Sequence, residues 1–210
     1  MPEYMLHSFS ESGNSYKVAL MLQLCGADWE PQGMAFFAGA TRSDEYRALN
    51  LMGEAPVMVH HRDDGDFTLS QSGAILTYLS RRFGRFGYET EAEEYEILRW
   101  ILFDNHKLTS YTATARFMRH FRGKKGDPAA EFIYSRAKDA WKILDQHLAG
   151  REWVAAPRPT IADLSLCGYL FWPEQIDMDR ADYPAIATWL ERIAALPGWA
   201  APEALMPSGM

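Results

Sequence analysis

The chain has 210 residues, a formal charge of −7 and a pI of about 5.4, with 48% hydrophobic and 13% aromatic residues. This composition excludes a disordered chain, and the acidic balance disfavours nucleic-acid binding. The longest apolar stretch, residues 164–172, is far shorter than the ~20 residues that span a bilayer, and no signal peptide is recognisable. Two cysteines among apolar neighbours suit buried thiols in a reducing compartment. We therefore expect a cytoplasmic protein that binds neither membrane nor nucleic acid.

The first 80 residues alternate strand and helix patterns. The predicted elements are a strand at 4–7, a helix closed by Gly26, a strand within 29–37, a short helix at 44–51, a hairpin at 57–69 and a helix that opens at Gln71. The hairpin is predicted because Asp64-Gly65 suits a tight turn between two apolar runs. The order β-α-β-α-β-β-α predicts an α/β unit of thioredoxin-like size.

The rest of the chain shows helix patterns only. After a linker at 81–90, the predicted helices cover 91–121, 129–148, a segment that starts at the Thr160-x-x-Asp163 capping box, and 185–196. The long helix opens with acidic residues and ends with basic ones, which complements its dipole, so we interpret the basic cluster as a helix-end feature. We predict two domains: residues 1–80 are α/β and residues 91–210 are all-helical.

Several short segments occur in a characteristic order. They are Ser12-Gly13-Asn14-Ser15-Tyr16-Lys17-Val18, Glu54-Ala55-Pro56-Val57, Gln71-Ser72-Gly73-Ala74-Ile75-Leu76 and Phe103-Asp104-Asn105-His106-Lys107, followed by the capping box. Together they resemble the cytosolic glutathione transferase family, in particular its bacterial members with a His-Lys pair. The resemblance implies a thioredoxin-like domain that binds glutathione, followed by an all-helical domain that contributes a pocket for a small hydrophobic electrophile. It also implies a homodimer.

The resemblance assigns the glutathione-binding residues. Ala55-Pro56 is similar to the family's cis-proline turn, where the backbone of Ala55 would pair with the extended tripeptide as an added strand does. Ser72 would donate to the γ-glutamyl carboxylate and Gln71 would accept from its ammonium, at a helix N-terminus that attracts anions. Simple helix capping and an ordinary trans proline are the structural alternatives.

The residue that activates the thiol is expected in the first loop, which contains neither cysteine nor tyrosine. By position, Ser12 matches the family's catalytic Ser or Cys, and Asn14 matches an Asn that matters in some bacterial members. A backbone group is a further alternative, and Ser12-Gly13-Asn14 also suits turn and cap chemistry alone.

The long helix carries the remaining candidates. By resemblance, His106 and Lys107 match the bacterial His-Lys pair, His106 as a catalytic residue and Lys107 as a glutathione ligand. Tyr111 and Phe117 are candidates for the electrophile pocket, although aromatic residues at helical spacing are more often core. His60 and His61 point to opposite faces of a strand, so no metal site is expected.

The sequence thus predicts an enzyme, a glutathione transferase that conjugates glutathione to small hydrophobic electrophiles in detoxification. Two alternatives stay open. One is a glutathione-dependent disulfide or peroxide reductase, which is supported by Asn14 near the expected position of the sulfur. The other is a transferase-like adaptor that binds a protein partner, against which the intact Ala55-Pro56 and Gln71-Ser72 segments argue.

Overall fold

The computed structural model describes all 210 residues, and they form two compact units. The first unit comprises Met1–Arg85 together with Leu196–Met210, and the second comprises Phe86–Ala195. All strands lie in the first unit, so the predicted fold class, an α/β unit followed by a helical one, is confirmed. No helix of the chain is both long and apolar enough to cross a membrane.

A four-stranded mixed sheet forms the centre of the first unit. Its strands are β1 (Tyr4–Ser8), β2 (Trp29–Gly33), β3 (Val57–His60) and β4 (Phe67–Ser70), in the order β2-β1-β3-β4. β1 runs parallel to β2 and antiparallel to β3, and β3 pairs antiparallel with β4. The parallel β1–β2 pair requires the crossover helix that the sequence places between them. This is the thioredoxin-like arrangement that the sequence predicts.

The first unit also contains three helices: α1 (Gly13–Cys25), α2 (Asp44–Leu49) and α3 (Ser72–Phe83). Short 3₁₀ turns cover Phe36–Ala38 and Ala40–Arg42. Nearly every residue of α1 is buried, which accounts for its lack of a polar face. α1 ends at Gly26, whose φ of 67° is the left-handed conformation that glycine adopts at low cost.

The helices of the second unit follow the predicted pattern. They are α4 (Glu91–Phe103), α5 (Thr109–Arg116), α6 (Pro128–Leu148), α7 (Ile161–Leu166) and α8 (Pro184–Ala194), with a 3₁₀ turn at Arg180–Asp182. The Thr160–Asp163 capping box is present, and the Asp163 carboxylate also accepts from the Val154 amide and the Trp189 indole. This buried carboxylate therefore holds the start of α7 and two further segments together.

The long helix predicted over 91–121 is helical throughout but not uniform. Two π-helical segments, Asp104–Leu108 and Phe117–Phe121, lie on either side of α5. In the first, the Thr109 amide bonds to the Asp104 carbonyl, five residues back. The buried Asp104 carboxylate accepts from the hydroxyls of Thr109 and Ser165 at 2.7 and 2.6 Å. Local periodicity does not reveal the Ser165 contact, because Asp104 and Ser165 lie 61 positions apart in the chain.

Two predicted boundaries differ from those observed. α3 continues through residues 81–83, which we assigned to the linker, and stops at Gly84 with φ 61°. Residues 196–210, which we assigned to the helical domain, pack with the first unit and include the short helix α9 (Pro202–Leu205). The Tyr16 hydroxyl donates to the Ala200 carbonyl at 2.9 Å, and Met206 is buried there. These contacts explain why the chain end joins the α/β unit.

Candidate active site

Ser12 caps the N-terminus of α1 from the loop after β1. Its hydroxyl oxygen accepts a hydrogen bond from the Ser15 amide at 3.1 Å, and its own amide donates to the Phe9 carbonyl at 3.1 Å. The side chain is nearly buried, with 5% exposed. Because the cap uses the hydroxyl as an acceptor, its proton can be donated to a group outside the chain. That proton lies at the positive end of a 13-residue helix, where negative charge is stabilised.

Ser72 lies in the first turn of α3, beside the start of α1. Its hydroxyl donates to the side-chain oxygen of Asn14 at 3.4 Å, so two predicted site residues from distant parts of the sequence meet here. Ser72 is also 5% exposed. Two helix N-termini therefore converge, and each offers a hydroxyl donor and positive partial charge.

Gln71 precedes α3 in an unusual backbone conformation, with φ 69° and ψ 111°. A positive φ is uncommon outside glycine and persists where the surrounding structure enforces it, often at ligand sites. The Gln71 side-chain amide nitrogen, Nε2, donates to the Glu54 carboxylate at 3.1 Å and to the Met52 sulfur at 3.0 Å. The Gln71 amide and the Glu54 carboxylate thus form an exposed polar pair beside Ser72.

The Ala55-Pro56 peptide bond is cis, which confirms the prediction from the sequence. The segment before it is held against α2, because the Glu54 carbonyl accepts from the Tyr46 hydroxyl at 3.0 Å and from the Asn50 side-chain amide at 2.8 Å. Pro56 is buried and Ala55 is partly exposed. The backbone at this corner is therefore fixed while Ala55 keeps some exposure to solvent.

The other four candidates lie in the second unit. His106 and Lys107 belong to the first π-helical segment, where His106 is exposed and Lys107 half-buried. Tyr111 lies on α5 with the Arg136 guanidinium 5.7 Å from its ring, and Phe117 begins the second π-helical segment with 37% exposure. Tyr111 is half-buried and Phe117 is partly exposed, so neither ring belongs to the fully buried core. π-helical turns are frequent at functional sites.

Two carboxylates not expected from the sequence lie beside the candidate residues of the first unit. Glu54 contacts Gln71, and Glu11 immediately precedes Ser12. Burial opposes ionisation of Glu11, but hydrogen bonds from the Ser208 hydroxyl and the Gly209 amide hold its pKa below the usual value. The position of Glu54 next to Ala55-Pro56 was a usable signal, whereas nothing local in the sequence links Glu11 to residues 208 and 209.

Neither the two cysteines nor the histidines and carboxylates form a second candidate site. Burial raises the pKa of the Cys25 thiol, against the opposing charge of Arg85, and Cys167 is fully buried. No group of three or more His, Cys, Asp or Glu side chains in the chain could hold a metal ion. His60 is bonded to Tyr78 and Glu3, and His61 to Asp66, so the two histidines have separate structural partners.

The chain matches two family models, the glutathione S-transferase N-terminal domain over residues 2–81 and the C-terminal domain over residues 111–197. It therefore belongs to the glutathione S-transferase family. A solved glutathione S-transferase from Xanthobacter autotrophicus Py2 is 32% identical, with a TM-score of 0.85 and 97% of each chain covered. A family member from Pseudomonas fluorescens Pf-5, solved with two glutathione bound, is 25% identical, with a TM-score of 0.82, and covers 98% of this chain and 93% of that one.

A curated relative carries a different activity in its name. The disulfide-bond oxidoreductase YfcG of Escherichia coli K12 is 25% identical over 193 residues, which is 90% of this chain and 89% of the relative. Family membership alone therefore does not separate conjugation from disulfide chemistry.

Proposed function

We propose that this protein is a cytoplasmic glutathione transferase of bacterial type that conjugates glutathione to small hydrophobic electrophiles. The observation that carries the proposal is the capping hydroxyl of Ser12 at the positive end of α1, next to the α3 N-terminus with Ser72 and Gln71. This arrangement offers donors for both the thiolate and the γ-glutamyl carboxylate of one extended ligand.

The γ-glutamyl end of glutathione binds at Ser72 and Gln71 in this proposal. The Ser72 hydroxyl donates to the carboxylate, assisted by the N-terminus of α3. Gln71 accepts from the ammonium through its amide oxygen, which its contacts with Glu54 and Met52 leave exposed, because both use the amide nitrogen. The cysteinyl backbone pairs with Ala55 beside Pro56, as the resemblance predicts.

Ser12 activates the thiol by hydrogen bonding and not by removing the proton. A free thiol with a pKa of about 8.5 is only ~3% ionised at neutral pH, and lowering that pKa by about 2 units requires roughly 2.7 kcal/mol. A hydrogen bond to a charged group contributes about 1.5–3 kcal/mol, and a helix N-terminus adds about 0.3–1 kcal/mol. Together they contribute about 2–4 kcal/mol, a range that includes the required value, so the proposal invokes no general base.

The chemical step is attack of the glutathione thiolate on an electrophilic carbon. A carbon–sulfur bond forms, and either the leaving group departs with its bonding electrons or, in an addition, the adjacent carbon takes up a proton. We assign His106 and Lys107 ligand-facing roles and Tyr111 and Phe117 contacts with the electrophile. The exposure of His106 and of the Phe117 ring supports these assignments.

A homodimer is part of the proposal. Tyr95, Leu98 and Leu102 are 62%, 47% and 58% exposed and follow the i, i+3, i+7 spacing that places them on one face of α4. We assign this apolar face to a second copy of the chain, in line with the resemblance to the dimeric family.

The first test is binding to immobilised glutathione followed by elution with free glutathione. We expect retention of the wild type and much weaker retention of Ser72→Ala, and we expect turnover with an activated aryl halide. An adaptor without a glutathione site would pass through the column, which would contradict the proposal.

A reductase is the second candidate, and the similarity to YfcG supports it. In that reaction two glutathione molecules reduce a disulfide to two thiols and form glutathione disulfide. A substrate panel with an aryl halide and hydroxyethyl disulfide distinguishes the two activities. Turnover of the disulfide alone would favour the reductase.

A further inference from the structure

The last residues of the chain lie on the loop that carries Ser12. The Glu11 carboxylate accepts from the Ser208 hydroxyl at 2.6 Å through one oxygen and from the Gly209 amide at 2.9 Å through the other. The Ser10 amide donates to the Pro207 carbonyl at 2.8 Å. The two residues that precede Ser12 are thus both bonded to the chain end.

The fit of this segment, residues 207–209, is close on both sides. A Cβ added at Gly209 would lie 2.8–2.9 Å from atoms of the Phe9 side chain, so the tail backbone rests directly on Phe9. The Gly209 carbonyl also accepts from the Phe37 amide at 3.1 Å. Phe9 in turn stacks on Phe36, with ring centroids 4.4 Å apart. The segment is therefore wedged between the first loop and the 36–37 turn.

One short turn, residues 9–12, connects these contacts to Ser12. The Ser12 amide donates to the Phe9 carbonyl, so residues 9–12 form a closed turn whose first residue packs against Gly209. On the other side, the Ser12 hydroxyl is bonded to the first turn of α1. Ser12 is therefore held from two sides. The first turn of α1 bonds to its hydroxyl, and residues 207–209 contact residues 9–11, which precede it.

We propose that residues 207–209 form a latch that positions the Ser12 hydroxyl, and that Glu11 is the positioning residue through which the latch acts. The inference rests on the proposed function, since the hydroxyl being positioned is the one that donates to the glutathione thiolate. Glu11 acts through the loop backbone in this proposal, since each of its carboxylate oxygens accepts a hydrogen bond from the tail.

The latch is tested by titrating the thiol of bound glutathione through its ultraviolet absorbance in a set of variants. Ser208→Ala and Glu11→Gln each remove one of the two hydrogen bonds, and truncation after Met206 removes the latch. We expect the thiol pKa to rise by about half a unit to one unit, with kcat about three- to tenfold lower below that pKa and the glutathione KM within about twofold of wild type. Ser208→Thr keeps the hydroxyl and should restore the wild-type titration.

Two control variants change groups that the latch does not use. Met210→Ala alters a side chain that is 78% exposed, and Ser135→Ala removes a hydroxyl that bonds only to Phe132 on α6. Both should titrate as wild type. If Ser208→Ala, Glu11→Gln and the truncated chain bind glutathione and also titrate as wild type, the latch is refuted while the proposed function stands.

A second measurement does not depend on glutathione. Amide hydrogen exchange at residues 10–12 should become faster in the truncated chain and in Glu11→Gln, and stay unchanged in Met210→Ala. Unchanged exchange in all variants would overturn the latch. Failure of the wild type to bind glutathione would instead overturn the proposed function and, with it, the role of the latch in thiol activation.

Discussion

The Ser72 hydroxyl donates to the side-chain oxygen of Asn14 at 3.4 Å, which joins the first turns of α3 and α1. This is long for a hydroxyl hydrogen bond, so the bond is weak. A hydroxyl has one proton, and Ser72 must therefore release Asn14 when it donates to a bound carboxylate. Exchange of a weak neutral acceptor for a charged one favours the ligand. Asn14 thus holds Ser72 ready for the γ-glutamyl group.

This contact predicts energetic coupling between Asn14 and Ser72. Ser72→Ala should raise the glutathione KM much more than it lowers kcat, because its contact is the same in ground and transition states. Asn14→Ala should raise KM about two- to fivefold by freeing the Ser72 side chain, an effect of under ~1 kcal/mol. In the Ser72→Ala background, Asn14→Ala should have no further effect on KM. Additive effects in this double-mutant cycle would contradict the coupling.

Glu54 should strengthen binding of the glutathione ammonium through its charge. The carboxylate lies 3.1 Å from the Gln71 amide nitrogen and is exposed, so its effect is that of a surface ion pair, about 0.2–1 kcal/mol. Glu54→Gln should therefore weaken glutathione binding by up to about fivefold in calorimetry.

The matched ligand for this test is glutaryl-Cys-Gly, which lacks only the ammonium group. Its affinity should be the same for wild type and Glu54→Gln. Glu30→Gln, on β2, makes the same charge change at another exposed position of the first unit and should leave both affinities unaltered. Equal losses for both ligands in Glu54→Gln would show that the carboxylate does not act on the ammonium.

The sequence predicts the features that neighbouring residues determine, but it does not reveal hydrogen bonds between residues far apart in the chain. The caps at Ser12 and Thr160, the Gly26 helix end and the succession of strands and helices along the chain follow from short-range residue preferences, and the structure contains all of them. The Ser72–Asn14 contact joins residues 58 positions apart, and the Glu11–Ser208 contact joins residues 197 apart. Such contacts depend on the folded chain, so the sequence suggested the site residues without showing how they are held.

The exposed face of α4 predicts the oligomeric state. Leu98→Glu should convert the proposed dimer to a monomer in sedimentation velocity, because it places a charge on the stripe of Tyr95, Leu98 and Leu102. Phe132→Glu changes a side chain of similar exposure, 64%, on α6 and should leave the dimer intact. A wild type that sediments as a monomer, or a Leu98→Glu variant that remains dimeric, would contradict the assignment of this face.

The pairing of Glu93 with Arg158 predicts the acid dependence of stability. The Arg158 hydrogen bond and the Glu89 amide lower the pKa of Glu93 from 4.5 to about 2. A lowered folded-state pKa means that the pair stabilises the fold above pH 4.5 and that this stabilisation is lost as the pH falls toward 2.

Removing Arg158 tests whether the pair lowers the Glu93 pKa and stabilises the fold at neutral pH. Arg158→Ala should raise the Glu93 pKa in an NMR titration and lower the urea midpoint at pH 7, and the midpoint difference from wild type should shrink below pH 4.5. Arg151→Ala, at an exposed position, serves as the control. A midpoint difference that stays constant down to the acid limit would rule out this pair as its source.

In the proposed mechanism the Ser12 hydroxyl stabilises the glutathione thiolate, and ultraviolet titration of bound glutathione measures this stabilisation. Ser12→Ala should cost about 1.5–3 kcal/mol of thiolate stabilisation, which raises the thiol pKa by roughly one to two units. Ser15→Ala is the matched control, because it removes a buried hydroxyl without a hydrogen-bond partner from the same helix turn, and it should titrate as wild type. If Ser12→Ala titrates as wild type while Asn14→Ala shifts the pKa upward, then Asn14 activates the thiol, and the reductase becomes the better account.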